Sequence, residues 1–410
     1  MTQEKIDVRS LSLEELTDVV ARLGERGFRA KQLFRWIHHK GVGSFDAMTD
    51  LSKGFRQLLN EKAQLDTLTL DLVQQSSDGT RKYRFKTFDG RFIESVYMPD
   101  NPGEAPFETA DDLDDDEAED AANGVAQSGG AAGPGDKGGH FGDGWAPTKT
   151  RVRRTLCVST QVGCAMGCRF CMTATMGLVR NLTPGEITDQ VYRVNEDLRS
   201  LGIAGMNEQR PLTNLVYMGM GEPLHNYANV KKSLELLLHE QGANFSHRHV
   251  TVSTSGLVPN ILKLGEETQV KLAVSLNATT DEQREKLMPV DKKWDISALL
   301  EACRAFPMKY GRRITFEYVM LRDVNDSEAD AERLCQLLQG LPSKVNLIPY
   351  NENPGLGFGD PGMERVNWFR RYLEGKGFTA MIRRNRGRDI SAACGQLAVA
   401  GQKKEREARA

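Results

Sequence analysis

The sequence predicts an α/β fold: a barrel of parallel strands with helical crossovers, preceded by a small helical module with a β-hairpin and interrupted by a disordered insertion. Three observations predict it. From Val152 onward strand-like runs alternate with helical stretches, the pattern of repeated β-α units and therefore of a parallel sheet. Several of those strands end in small or polar clusters, at Gly219 to Pro223, Ser253 to Gly256, Ser275, Asn277 and Asn351, and in β/α barrels the chemistry sits at the C-terminal strand ends. Finally, residues 100–136 carry 12 Asp or Glu and no Lys or Arg, and the Gly-rich run that ends near residue 147 is as poor in apolar side chains. Such sequence cannot bury enough apolar surface to offset its ordering entropy.

The elements follow in chain order. Residues 12–23 place Leu13, Leu16, Val19, Val20 and Leu23 at helical spacing behind a capping box of Ser12 and Glu15. FRAKQLFRWIHHKG reads as a second helix ending at Gly41, and LSKGFRQLLNEK as a third. RKYRFKTF and GRFIESVYM, joined by Asp89-Gly90, form a hairpin. The barrel strands are RRTLCVST, NLVYMGM, HVTVSTS, VKLAVSLN, RITFEYVML and KVNLIPY, with helices at 184–200, 226–240, 296–305 and 327–339. FTAMIRRNRGRDISAACGQLA adds a last strand and a loop carrying Cys394. The domain reading is 1–99 for the N-terminal module and hairpin, 100–147 for the insertion, 148–398 for the barrel with its C-terminal loop, and 399–410 for a flexible tail.

Composition narrows the function classes. No apolar run is long enough to cross a bilayer and MTQEKIDVRS has no signal-peptide core, so a soluble protein is expected. Seven Cys, three of them in a metal-type spacing, fit a reducing cytoplasm better than a disulfide framework. The net charge of -2 hides a basic body: outside 100–136 there are 54 basic side chains and 44 acidic ones. A polyanionic partner such as RNA fits that balance, with cations repeated at Arg29, Lys31, Arg35, His38, His39 and Lys40 and again at Arg383, Arg384, Arg386 and Arg388.

Cys164, Cys168 and Cys171 stand as C-x-x-x-C-x-x-C in VGCAMGCRFCMT. A cubane iron-sulfur cluster takes four thiolates, so three suggest a cluster with one iron open to a ligand. The alternative is a zinc site completed by Cys157, although paired knuckles or a nearby His, which zinc favours, are missing. MGMGEP, residues 218–223, follows a strand and lacks the Lys of a phosphate-binding loop; its glycines admit a ligand and Glu222 can accept from an ammonium group. Ser253, Ser275 and Asn277 either bind a ligand or cap the next helix. Cys303 and Cys335 lie in amphipathic helical runs and read as core.

Taken in order, CVSTQVGCAMGCRFCMT, NLVYMGMGEPLHN, VTVSTSG, VSLNA, NLIPYN and DISAACGQLA resemble the RlmN family of radical S-adenosylmethionine (SAM) methyltransferases, sister to the Cfr resistance methyltransferases, over nearly the whole chain outside 100–147. The resemblance implies a partial (β/α)6 radical SAM barrel, a 4Fe-4S cluster on Cys164, Cys168 and Cys171, and SAM among Gly221, Glu222, Ser253, Ser275, Leu276, Asn277 and Asn351. It implies methylation at C2 of adenosine 2503 in 23S rRNA and of adenosine 37 in tRNA, using two SAM. Cys394 would carry the methyl group, Glu94 would be the general base, and Cys157 would release the product by attacking the Cys394 sulfur. An external electron donor and a disulfide reductant are implied partners, a membrane is not, and a cytoplasmic monomer is expected. Methylation at adenine C8 would use the same cysteines, and a non-catalytic metal-containing RNA-binding protein would need only the basic surface and the cluster.

Overall fold

The computed structural model describes residues 5–99, 153–203, 210–308, 312–353, 355–383 and 385–398. The acidic and Gly-rich insertion at 100–147, the 399–410 tail and Arg384 lie outside the described residues.

The N-terminal helices form where the capping signals stand. Helix α1 (Leu13–Arg22) opens on the Ser12/Glu15 capping box. Helix α2 (Phe28–Phe34) runs on into a π-helical turn, Arg35–His39, and α3 (Lys53–Lys62) is capped by Ser52. Their apolar faces, among them Leu16, Val20, Leu33, Phe34, Phe55 and Leu59, close a core of their own that also takes in Leu236. Strand β1 (Ile6–Asp7) pairs in parallel with β2 (Ala63–Gln64) across this module.

A ten-stranded sheet contains the remaining strands except those of one short two-stranded ribbon. Strands β3 (Leu68–Gln75), β4 (Arg81–Thr87) and β5 (Phe92–Met98) form an antiparallel meander, so the expected hairpin has a third strand. Strand β6 (Thr155–Cys157) pairs antiparallel with β5, and the hairpin therefore extends the barrel sheet instead of belonging to the helical module. Between β6 and the next sheet strand, β7 (Gln161–Gly163) and β8 (Leu178–Asn181) form a separate two-stranded ribbon. The sheet continues with β9 (Asn214–Tyr217), β10 (Val250–Thr254), β11 (Lys271–Ser275), β12 (Ile314–Met320), β13 (Ser343–Pro349) and β14 (Thr379–Ile382). From β6 through β9 to β14 every neighbouring pair is parallel. Strands β3 and β14 are its two edges, so this is an open, partial barrel. A short helix, α4 (Met172–Thr175), lies within the ribbon loop, and the crossover helices include α5 (Pro184–Ser200), α6 (Tyr227–Leu238), α7 (Val258–Glu267), α8 (Asp281–Leu287), α9 (Ile296–Ala305), α10 (Glu328–Leu338) and α11 (Met363–Gly375). Among the described residues no helix is long and apolar enough to cross a membrane.

A buried arginine joins the helical module to the barrel. Arg9 has no exposed surface; its guanidinium donates to the Leu65 carbonyl (2.8 Å) and the Val42 carbonyl (3.0 Å) and stands 3.3 Å from Asp189 on α5. Asp189 also receives the N–H groups of Thr67 and Leu68. Removing Arg9 leaves the buried Asp189 carboxylate with Arg193, 3.6 Å away, as its remaining cation partner among the described residues, which costs up to about 3–5 kcal/mol. Arg9→Met is therefore expected to lower the urea midpoint by an amount corresponding to about that cost; an unchanged midpoint would show that the pair does not join the two units.

Candidate active site

The three-cysteine loop is held by backbone geometry that needs no metal. Ribbon β7–β8 closes its base, where Gly163 (φ +75°) lies so near Gly177 that a Cβ would sit 1.8 Å from the Gly177 carbonyl oxygen. Cys171 is the N-cap of α4. The Arg169 N–H donates to Leu287 (2.9 Å), and Phe170 packs with Leu287, Met288, Leu321 and Tyr350. Cys164, Cys168 and Cys171 thereby line one cavity at the C-terminal strand ends, facing Gly221, Glu222, Ser253, Ser275, Asn277 and Asn351.

Each of these has a distinct local cause. Gly221 (φ +103°) lies against Gln161, where a Cβ would meet the Gln161 Cβ at 2.5 Å. The next residue, Glu222, is buried, and its carboxylate accepts the Leu224 N–H (3.0 Å) and the Ser255 N–H (2.8 Å). Burial raises its pKa, and those two N–H groups with the Thr254 and Ser255 hydroxyls oppose the rise. Ser275 ends β11 and lines the cavity, whereas Leu276 does not. Its side chain is fully buried, its N–H donates to the Glu317 carbonyl, and its own carbonyl receives Arg284, as strand alternation requires of the residue after Ser275. Asn277, left-handed at φ +56°, uses its Oδ1 to receive the Val319 N–H. Asn351 is 2 % exposed, and neither of its amide atoms has a hydrogen-bond partner among the described residues.

A second cavity adjoins the first through Cys171, Met218, Gly219, Ile348, Arg383 and Cys394, and contains Cys157, Val96 and Met98. Cys157 is buried, and its register partner on β5 is Val96. Burial pushes its thiol up to about 12, the Cys394 thiol adds to the rise, and Arg383 opposes it. Glu94 shares the β5 face of Val96 and Met98 by strand parity, but it lines neither cavity. Its carboxylate is buried, 3.5 Å from the Lys82 ammonium. Burial raises its pKa, with Lys82 opposing.

Sequence reasoning passed over Glu317. It lines the first cavity from the middle of β12, accepts from Asn346 (3.0 Å) and stands 3.7 Å from the Arg383 guanidinium. A lone carboxylate inside the apolar run ITFEYVM was the available signal. Cys303 and Cys335 pack in and against the core.

The comparisons fit this geometry. Residues 6–65 match the family model described as the ribosomal RNA large subunit methyltransferase N-terminal domain, and residues 158–335 match the radical SAM superfamily. The chain is 54% identical over 398 residues to the dual-specificity RNA methyltransferase RlmN 2 of Myxococcus xanthus, covering 97% of this chain and 92% of that protein. The RlmN of Anaeromyxobacter dehalogenans is 53% identical, with 96% and 92% covered. The chain belongs to the RlmN family of radical SAM RNA methyltransferases. A solved radical SAM methyltransferase from Sphaerobacter thermophilus superposes with a TM-score of 0.79 at 41% identity, covering 96% of this chain and 99% of that one.

As a radical SAM enzyme the chain works with a 4Fe-4S cluster and SAM, and the non-catalytic reading falls away. The residues present fit both groups. Burial raises the pKa of Cys164, Cys168 and Cys171, so each is a neutral thiol until a metal draws off its proton. Cys157 lines the second cavity with Cys394 and not the cavity of the three cysteines, so it does not complete a zinc set with them. The unpartnered Asn351 amide, costly to bury alone, and the buried carboxylate of Glu222 in the same cavity suit a polar ligand bearing an ammonium group.

Proposed function

We propose that this chain methylates C2 of adenosine 2503 in 23S rRNA and of adenosine 37 in tRNA by way of a methylated Cys394, acting as a cytoplasmic monomer. The carrying observation is that Cys394 lines both cavities, beside the three cluster cysteines in one and Cys157 in the other. When bound, the cluster and SAM supply the carbon radical that an electron-poor adenine C2 requires, since that carbon cannot attack a methyl group directly. Cys164, Cys168 and Cys171 hold the cluster, and Glu222 and Asn351 hold the amino-acid end and polar atoms of SAM, with Gly221, Ser253, Ser275 and Asn277 around it. Cys394 takes up the methyl group as a thiolate nucleophile. Arg383, which borders both cavities, favours negative charge on either thiol. Glu94, with its raised pKa, accepts the C2 proton, steadied by Lys82. Cys157 then attacks the Cys394 sulfur, freeing the base and leaving a disulfide that an external reductant resets; an external donor supplies the electron.

RNA as the partner is supported by the seam between the π-helical turn and α5, where Lys40, Arg199 and Arg210 gather and no carboxylate among the described residues lines the pocket; His38 there is buried and hydrogen-bonded to Tyr192, its pKa lowered by that burial, and adds no charge. Nucleoside mass spectrometry of rRNA and tRNA incubated with the reduced enzyme and SAM tests the reading. 2-Methyladenosine is the expected product in both RNAs; 8-methyladenosine, or no methylated adenosine, would replace it.

A further inference from the structure

The loop that carries Cys394 is tied at both ends, and only one tie belongs to the cluster region. On the C-terminal side the Met172 N–H donates to the Gly395 carbonyl (2.8 Å) and the Thr173 hydroxyl to the Leu397 carbonyl (2.6 Å), so α4 grips the chain just past Cys394. On the N-terminal side the partner is the turn between β3 and β4. Asp389 accepts the Ser76 hydroxyl (2.6 Å) and the Ser77 N–H (3.2 Å). Asp78 accepts the Gly387 N–H (2.9 Å) with one oxygen and the Thr80 N–H (2.8 Å) with the other. Lys82, the partner of Glu94, donates to the Ser391 carbonyl (3.3 Å).

The segment so held is conformationally costly. Gly387 sits at φ +64°, where a Cβ would meet Ala392 at 2.7 Å and Thr80 at 3.0 Å. Ser391, a residue with a side chain, is left-handed at φ +51° and ψ +46°. Such backbone persists only when its surroundings over-determine it, and here the surroundings are the β3–β4 turn. Both carboxylates are held below the usual range by these donors against the desolvation that opposes them, and each therefore remains an acceptor at neutral pH. Residues 76–80 and 387–397 lie outside both matched family segments, 6–65 and 158–335.

We propose that Asp389 and Asp78 are positioning residues for Cys394: the β3–β4 turn fixes the loop so that the Cys394 sulfur faces the SAM cavity on one side and Cys157 on the other. This rests on the reading of Cys394 as methyl carrier, but its first test does not. Reduced, cluster-loaded enzyme is challenged with oxidised glutathione, and formation of the Cys157–Cys394 disulfide is followed by mass spectrometry. Cys394 thiolate displaces one glutathione to form a mixed disulfide, and Cys157 thiolate then displaces the second. Two cysteine thiols are oxidised, one glutathione disulfide becomes two glutathione thiols, and the protons follow the departing thiolates. A misplacement of about 1 Å can cost on the order of 100-fold in such a step, so Asp389→Ala should slow the second displacement by roughly tenfold or more. Cluster content should stay at the wild-type level. In RNA turnover, the same variant should form more 5'-deoxyadenosine per methylated adenosine. Ser76→Ala removes one of the same bonds from the other side, and the double variant should be no worse than Asp389→Ala alone. If Asp389→Ala does not fold, Ser76→Ala with Asp78→Asn carries the test. An unchanged disulfide rate and coupling ratio overturn the proposal. So does a loss of cluster content in proportion to both. Wild-type enzyme that fails to methylate RNA adenine would instead sink the methyl-carrier reading and leave the disulfide result standing.

Discussion

Protein carrying Cys168→Ala should purify without colour, hold no 4Fe-4S cluster and form no 5'-deoxyadenosine from SAM, yet melt near the wild-type temperature. On the proposed assignment the cluster takes its protein ligands from the thiolates of Cys164, Cys168 and Cys171, and losing one leaves two, too few to keep an oxygen-sensitive cubane in place. The fold does not share that dependence. Ribbon β7–β8, the close approach of Gly163 to Gly177 and the Arg169 to Leu287 hydrogen bond shape the loop through backbone contacts alone. Cys168 is only partly buried and packs at the margin of the Phe170 cluster, so losing its sulfur should cost at most about 1 kcal/mol. Iron and sulfide analysis, electron paramagnetic resonance of the reduced protein and chromatography of the SAM products measure the three quantities. Retained iron with intact SAM cleavage would remove Cys168 from the ligand set; a collapse of the melting transition would mean that the loop is structural.

The sequence disclosed the cluster loop and the barrel strands for chemical reasons. Thiolate spacing is set by a metal group of fixed size, and buried parallel strands such as KVNLIPY are near-continuous apolar runs. Ser12 with Glu15 announced the start of α1 because a capping box is local. What stayed hidden depends on pairings between distant segments. Strand β3 was missed although Leu68, Leu70 and Leu72 alternate with Thr69 and Asp71; it is an edge strand on which Leu70 and Leu72 stay exposed. The union of the meander with the barrel rests on Val96 pairing with Cys157, across the insertion. Glu317 meets Arg383 because β12, β13 and β14 align Glu317, Asn346 and Met381 in one row, a register that no single segment encodes. The same parity that puts Ser275 in the cavity turns Leu276 away from it. Glu94 was assigned from the family resemblance alone, and its place behind Lys82, outside both cavities, comes from the fold.

Cys157→Ala should leave the enzyme able to bind its cluster, methylate Cys394 and cleave SAM, and unable to let go of its RNA. Cys157 is absent from the three-cysteine cavity, so neither the cluster nor the SAM site loses a lining atom. It stands instead at the end of β6 in the second cavity, which it shares with Cys394. Release of the base requires a second thiol to attack the Cys394 sulfur along the sulfur–carbon axis. Cys394 is half-buried, and the proximity of a positioned thiol is worth many orders of magnitude in effective concentration over a thiol from solution. Burial already pushes the Cys157 thiol up to about 12, so the attack depends on a base or on Arg383 at the moment of reaction, and besides Cys394 itself the only other described cysteine lining that cavity is Cys171, assigned here to the cluster. Without Cys157, RNA should stay joined to Cys394 through a one-carbon bridge, and a single turnover should be followed by arrest. The measurement is denaturing electrophoresis: a slowly migrating band that collapses on nuclease treatment, and that is missing from the Cys157→Ala, Cys394→Ala double variant because it has no methyl carrier. Multiple turnover by Cys157→Ala, or an adduct that forms without Cys394, would return Cys157 to the ranks of the core cysteines such as Cys303 and require another group to resolve the intermediate.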